Sequence, residues 1–353
     1  MSLGESIKLR RDVLGISLRD LANRIGVSHT TVNKYEKNIL IPDSECLIRL
    51  SDILQIPVAS LLRPQNDQIR LNPVAFRSKK LKKREEKQIT AETKEWLARY
   101  LQIERLSGNH RTFVMPKGFR KKISSFDEAE KAAKDLRNVW DLGSDPIENL
   151  TTLLEDKGIK IGIISGITKF DALFTECDDN PIIVLKKDLP RARQRFSLAH
   201  ELGHCLLDVE GGLDEEKAMH RFAGAFLVPS EKVIFELGEK RHKLSFKELM
   251  LLKEKYGLSI AAWVYRAKDL GIISPALYVE LQKFFSRQGW KKEEPGDNVS
   301  GEVPVFMSTL VFKSHAEGLI STSKAAELLN QNISTFCSFE GESDFEQSAM
   351  LCG

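Results

Sequence analysis

The stretch "RARQRFSLAHELGHCLLD", residues 191–208, decides how the larger part of this chain is read. Phe196, Leu198, Leu202, Leu206 and Leu207 recur at the spacing of one apolar helix face. Residues four apart on a helix share a face, so His200 and His204 can offer two imidazole nitrogens to one metal ion. Glu201 stands beside the first of them. Zinc lowers the pKa of a water it holds toward about 7, and a neighbouring carboxylate can take the proton. That is the chemistry of the His-Glu-x-x-His pattern; the competing reading is a chance match on a buried amphipathic helix. Gly203, between the histidines, costs roughly 1 kcal/mol against Ala in a helix, and is expected to leave room above the metal.

A catalytic zinc takes three protein ligands and keeps one open position. The sequence downstream offers Asp208, Glu210, Asp214, Glu215, Glu216 and His220 for the third. Glu210 lies six residues beyond His204, while Glu216 and His220 lie one turn apart on the next helix, where both can face the metal. Cys205 is turned roughly 100° from His204 and reads as a core residue. Tyr265 and Arg266 sit on a later helix, where either could stabilise an oxyanion; the plainer reading packs Tyr265 and pairs Arg266 with a carboxylate.

The amino-terminal stretch "SLRDLANRIGVSHTTVNKYEKN", residues 17–38, has another character. Ser17 is placed to cap a helix bearing Leu18, Leu21, Ala22 and Ile25, Gly26 breaks it, and Ser28 caps the next. Ala22 is small where two helices cross and Val32 anchors the second, as a helix-turn-helix requires. The second helix then exposes Ser28, His29, Thr30, Asn33, Lys34 and Lys37, hydrogen-bonding and cationic groups suited to the major groove. A further helix opens at Pro42-Asp43-Ser44 and a fifth begins at Pro57. The competing reading is a helical module that binds protein.

Composition sets outer limits. The 353 residues suffice for two or three domains, and a hydrophobic share of 42% is ordinary for a globular protein. A formal net charge of +3 gives no bulk argument for nucleic acid. Cys46, Cys177, Cys205, Cys337 and Cys352 are odd in number and form no CxxC pair, which suits a reducing cytoplasm. No apolar run approaches 18 residues and no basic-then-apolar start is present, so neither membrane span nor signal peptide is expected.

Along the chain, the charge-dense "RSKKLKKREEKQ" (77–88) reads as a linker or exposed helix start. Helical spacing follows at 91–106 and 126–143, strand-like Ile/Val runs at 157–165 and 180–188, and helices at 191–208, 215–227, 245–257 and 259–271. No internal repeat is evident. The expected organisation is 1–65 helix-turn-helix domain, 66–90 basic linker, 91–290 metal-binding domain and 291–353 a partly ordered extension with a frayed polar end. The fold class is mainly α with a small β-sheet.

The stretches "RQRFSLAHELGHCLLD", "EKAMHRFAGAFLVP", "AKDLRNVWDLGSDPIENLTTLLEDKGIKI" and "LLKEKYGLSIAAWVYRAKDLGII" together resemble the ImmA/IrrE family of zinc metallopeptidases over roughly residues 126–275. "VSHTTVNKYEKN" is similar to the Cro/cI-type helix-turn-helix, over about residues 5–62. The resemblance implies an α+β zincin-like domain with one Zn2+ per chain on His200, His204 and Glu216, and Glu201 as general base. His220 and Tyr265 become accessory candidates. It also implies a cytoplasmic regulator that binds double-stranded DNA, as a homodimer in the manner of helix-turn-helix readers. Such a regulator cleaves a protein, a repressor or antitoxin, in a stress response or in mobile-element control. Two rival readings stand beside it: a transcription regulator with a non-hydrolytic zinc sensor, and a toxin–antitoxin-type protein-binding component. The chain departs from the family patterns at His220 (commonly Asn), Asp208 (often His), Leu18 (often Gln) and Asn38 (usually Gly).

Overall fold

Polar residues at helix starts and left-handed residues at helix ends set most of the element boundaries. In the computed structural model Ser2 and Glu5 form a reciprocal capping box on α1 (Leu3–Val13), and Ser17 and Asp20 form another on α2 (Leu18–Ile25). Gly26, at φ 75°, closes α2, and Ser28 accepts from Thr31 N to open α3 (His29–Glu36). Asp43 caps α4 (Ser44–Leu54), which ends on Gln55 at φ 54°. The structure describes residues 2–56, 58, 61, 69, 71–72, 83–119, 121–165, 170–178, 180–291, 293–296 and 301–338. Most of the helix expected from Pro57, the basic run 77–82 and the last fifteen residues lie outside the described residues.

The chain divides into two units, Met1–His110 with Gly166–Phe170 and Val305–Gly353, and Arg111–Ser165 with Asp171–Pro304. In the first, Ile7, Leu21, Ala22, Ile25, Val32, Leu50 and Leu54 bury against one another. The buried pair Arg11–Glu36, with Nε–Oε1 at 2.5 Å, ties α1 to the end of α3. The long α5 (Lys83–Ser107) takes Arg10 Nη1 on Glu95 at 2.8 Å. Farther along, its Ile103 joins Leu310, Val311, Ala325, Ala326, Leu328 and Phe336 in a second small core. The unit thus includes α5 and the carboxy-terminal helices, where the sequence reading placed boundaries near 90 and 290. Tyr100 and Ile103 tie α5 to the carboxy-terminal helices, Tyr100 beside the Phe306 ring and Ile103 in the core with Leu310.

The second unit is built of β1 (Lys121–Ile123), α6 (Phe126–Val139), α7 (Leu150–Asp156), β2 (Lys160–Ile164), β3 (Ala172–Cys177), β4 (Asn180–Lys186), α8 (Arg191–Leu206), β5 (Leu207–Val209), α9 (Glu215–Leu227), α10 (Ser230–Leu237), α11 (Phe246–Tyr256), α12 (Ile260–Asp269) and α13 (Pro275–Arg287). One sheet has the order β2-β4-β3, β4 running parallel to β2 and antiparallel to β3. The central β4 is buried on both faces, hence its unbroken Ile-Ile-Val-Leu run. β1 and β5 pair in parallel, Ile123 opposite Val209. The mainly helical class with small sheets is as expected; β1, β3 and β5 had not been anticipated.

The first unit closes with α14 (Phe306–Ala316), α15 (Thr322–Leu328) and a short helix over 333–338, which we label α16. Without any repeat in the sequence, α15–α16 follow the backbone plan of α2–α3. Ser17 N-caps α2 and Ser321 N-caps α15, each accepting from the amide three residues on. Gly26 and Asn330, each nine residues past its cap, are left-handed at φ 75° and 55°. Val27 N reaches Ala22 O at 3.0 Å as Gln331 N reaches Ala326 O at 2.9 Å, and Val32 N reaches Ser28 O as Phe336 N reaches Asn332 O.

Candidate metal centre and nucleic-acid interface

α8 leaves β4 through Leu189-Pro190 and turns its two histidines onto one face. Its first half is clamped: Arg195 is buried against Glu302 and donates to Ile147 O at 2.7 Å, while Gln194 exchanges two hydrogen bonds with the Glu302 backbone. His200 Nε2 and His204 Nε2 stand 3.1 Å apart. Glu216, in the first turn of α9, brings Oε2 to 3.3 Å from His200 Nε2 and Oε1 to 3.7 Å from His204 Nε2. Among the described residues these three form a group whose ligand atoms all lie within 4.8 Å of one another.

The donor set can be tested against zinc. Bonds of about 2.0–2.1 Å in a tetrahedron give ligand–ligand edges of about 3.3–3.4 Å. The separations of 3.1, 3.3 and 3.7 Å bracket that edge. Two buried imidazole nitrogens facing each other need a shared electrophile or proton, and a carboxylate supplies charge for a divalent cation. The histidine side chains are 11% and 7% exposed and that of Glu216 is 48% exposed, so the cluster is open on the Glu216 side. Residues and spacing therefore fit a three-ligand zinc with one open face.

Helix packing brings Glu216 there. A Cβ built on Gly203 would lie 2.7 Å from Met219 Sδ and 3.1 Å from Phe222 Cδ1. The missing side chain lets α9 cross α8 closely; the room at Gly203 is filled by α9, and the expectation that it serves the metal is corrected. Asp214 is the N-cap of α9 and pairs with Lys217 at 2.8 Å. Glu210 pairs with Lys122 at 2.6 Å, and Asp208 is an exposed residue of β5. Cys205 packs against the hydrophobic core.

Of the accessory candidates, His220 lies on the exposed side of α9, its ring centre 4.8 Å from that of His200 and 5.7 Å from that of Phe196. Tyr265 stands edge-on to Tyr278 at 6.0 Å with Lys268 over its ring. Arg266 is buried, bidentate on Glu130 at 2.6 and 2.8 Å, and donates to Val228 O. This arginine is structural, and Gly224 makes way for it, since a Cβ there would come 2.8 Å from Arg266 Cδ. Two features escaped the sequence reading. Glu130 also holds Arg221 of α9 at 2.7 Å; nothing in local spacing signals a pairing across so long a separation. Glu215 Oε1 lies 3.3 Å from His204 Nδ1; its adjacency to Glu216 was the available signal.

On α3, His29, Thr30 and Lys34 are exposed and Asn33 is half-buried, and the C-cap Lys37 is exposed. The exposed Ser28 is engaged as the cap, its Oγ 2.6 Å from Thr30 Oγ1 and 2.8 Å from Thr31 Oγ1. Asn38 takes the left-handed conformation at φ 56° that Gly commonly supplies. Its side chain also accepts from Gly4 N at 2.9 Å and donates to Ser2 Oγ at 2.7 Å, locking the end of α3 to the start of α1. Gly4 is needed for that contact, because a Cβ would meet Tyr35 O at 2.2 Å.

Comparison with known families gives two matches. Residues 7–61 match the family model of the helix-turn-helix, and residues 154–268 match that of the IrrE N-terminal-like domain, a peptidase family. No curated protein matches the chain. A helix-turn-helix domain is here followed by an IrrE N-terminal-like domain, as the sequence resemblance implied. No helix of the described residues is long and apolar enough to cross a membrane.

Proposed function

We propose that this fusion of a helix-turn-helix domain with an IrrE N-terminal-like domain is a cytoplasmic, DNA-binding zinc endopeptidase that cleaves a regulatory protein of the repressor or antitoxin type. The observation that carries the reading is the convergence of Glu216 of α9 with His200 and His204 of α8, the helix that also bears Glu201. Those three residues would hold the zinc. Bound there, zinc supplies Lewis acidity toward a peptide carbonyl and the attacking water. Glu201 is half-buried on α8, one residue past His200, and its carboxylate is the base that takes a proton from that water and returns it to the leaving amide nitrogen. The buried rings of His200 and His204 shield one side of the cluster from water, and the Glu216 side is open to solvent, from which a peptide would approach. In the other domain, Thr30, Asn33 and Lys34 of α3 present hydrogen-bonding and cationic groups to the major groove, with Lys37 toward phosphate. A DNA reader joined to a peptidase acts as a switch in stress response or mobile-element control: one half is placed at an operator, and the other removes a protein that governs it.

The experiment is a Glu201→Gln substitution in the native host, with proteins captured on the variant identified. General-base catalysis contributes roughly 10²–10⁴ in rate, so cleavage of the captured protein should be lost while zinc content and DNA binding stay as in the wild type. Equal regulatory output from wild type and variant would sink the peptidase reading and favour the sensor.

A further inference from the structure

We infer that Glu215 is a positioning residue that sets the ring orientation and tautomer of His204 for metal binding; the inference rests on the metal centre proposed above. The two glutamates at the start of α9 divide the faces of one imidazole. Glu216 Oε1 approaches Nε2 of His204 at 3.7 Å, whereas Glu215 Oε1 approaches Nδ1 at 3.3 Å. Nδ1 and Nε2 flank Cε1 and point outward in diverging directions, so a carboxylate on Nδ1 does not share a metal held at Nε2. Glu215 is accordingly absent from the converging group of His200, His204 and Glu216. When Nε2 gives its lone pair to a metal, the proton of a neutral imidazole sits on Nδ1, and Glu215 is placed to accept it. A carboxylate in that position raises the donor strength of the ring and holds it in place.

The companion histidine shows how specific the arrangement is. His200 Nδ1 is buried with no hydrogen-bond partner among the described residues. Its ring is held by packing, with the centres of His204 and His220 both 4.8 Å away. His204 alone of the pair has a carboxylate on its outer nitrogen. Since α9 supplies both glutamates from adjacent positions, the helix crossing at Gly203 that delivers the third ligand delivers the positioning group as well. The Glu-Glu dipeptide thus has two distinct roles.

The test uses the full chain stripped of metal, with Zn2+ titrated against a chromophoric chelator and Co2+ absorption as the spectroscopic signature. Glu215→Ala should weaken Zn2+ binding by about 10–100-fold and still give the four-coordinate Co2+ band at saturation. Glu215→Gln, which keeps an acceptor oxygen, should recover most of that loss. The metal-free unfolding midpoint should be the same in all three proteins, because the side chain is 44% exposed on the helix surface. Wild-type affinity in Glu215→Ala would overturn the inference. So would a loss that tracks a lowered metal-free midpoint and is not recovered by Gln, the mark of a helix-terminus role. Loss of the Co2+ band in Glu215→Ala with retention in Glu216→Ala would make Glu215 a ligand and overturn it too. A wild-type chain that takes up no Zn2+ fails the metal centre itself, an outcome visible before any variant is compared.

Discussion

Helices α2–α3 and α15–α16 share a backbone plan and differ in what they show to solvent. In both, a serine N-cap, a small residue at the crossing (Ala22 or Ala326), a left-handed residue nine positions past the cap and a buried apolar anchor (Val32 or Phe336) produce the same turn. On the exposed helix, His29, Thr30, Asn33 and Lys34 of the first pair correspond in register to Ile333, Ser334, Cys337 and Ser338 of the second. The first set carries the cation Lys34; the second carries none. Phosphate attraction through Lys and Arg supplies most of the sequence-independent affinity for DNA. The lesson is that turn geometry and surface chemistry reside in different residues, so a shared helix-turn-helix backbone does not carry a shared surface.

The strongest way to break the comparison is through a large buried side chain of each pair. Leu21→Ala should cost about 2–5 kcal/mol and Phe336→Ala about 3–5 kcal/mol of stability, measured by denaturant unfolding. Only Leu21→Ala should also abolish DNA binding. Loss of DNA binding in Phe336→Ala would show that the two pairs act as one reader.

Reading chemistry can be probed with less disturbance. Asn33→Ala should lose about 1–3 kcal/mol of preference among DNA sequences, and Lys34→Ala should lower the slope of affinity against salt by about one. Both are measured by titration over a range of salt. Cys337→Ala and Ser338→Ala should change neither quantity, and an effect of either comparable to that of Asn33→Ala would erase the distinction drawn here. The smallest effect belongs to the turns. Gly26→Ala places a Cβ at φ 75° and should cost about 1–2 kcal/mol. Asn330→Ala should cost less, as Asn already carries a Cβ, and thermal unfolding orders the two.

Much of this was legible in advance. The caps Ser17, Ser28 and Asp43, the breaker Gly26 and the His200–His204 spacing act within one or two helical turns, and the structure has each in its expected place. The recurrence of the helix pair was not legible. Residues 17–36 and 321–340 coincide only at Ser, Ala, Thr and Glu, because the plan needs residue classes at a few positions and tolerates almost anything elsewhere. Strands β1 and β5, three residues each, exist only through pairing with one another and leave no periodic signal.

By itself the sequence determined the helices, their caps and the two histidines of one face, since these follow from backbone sterics and from contacts three or four residues apart. The tertiary structure decided which of two adjacent glutamates turns toward both Nε2 atoms, which one meets Nδ1 of His204, and that Arg266 belongs to Glu130. Those outcomes depend on how closely α9 crosses α8. That approach is set by the absent Cβ of Gly203 against Met219 and Phe222, a contact between different helices that no local spacing encodes.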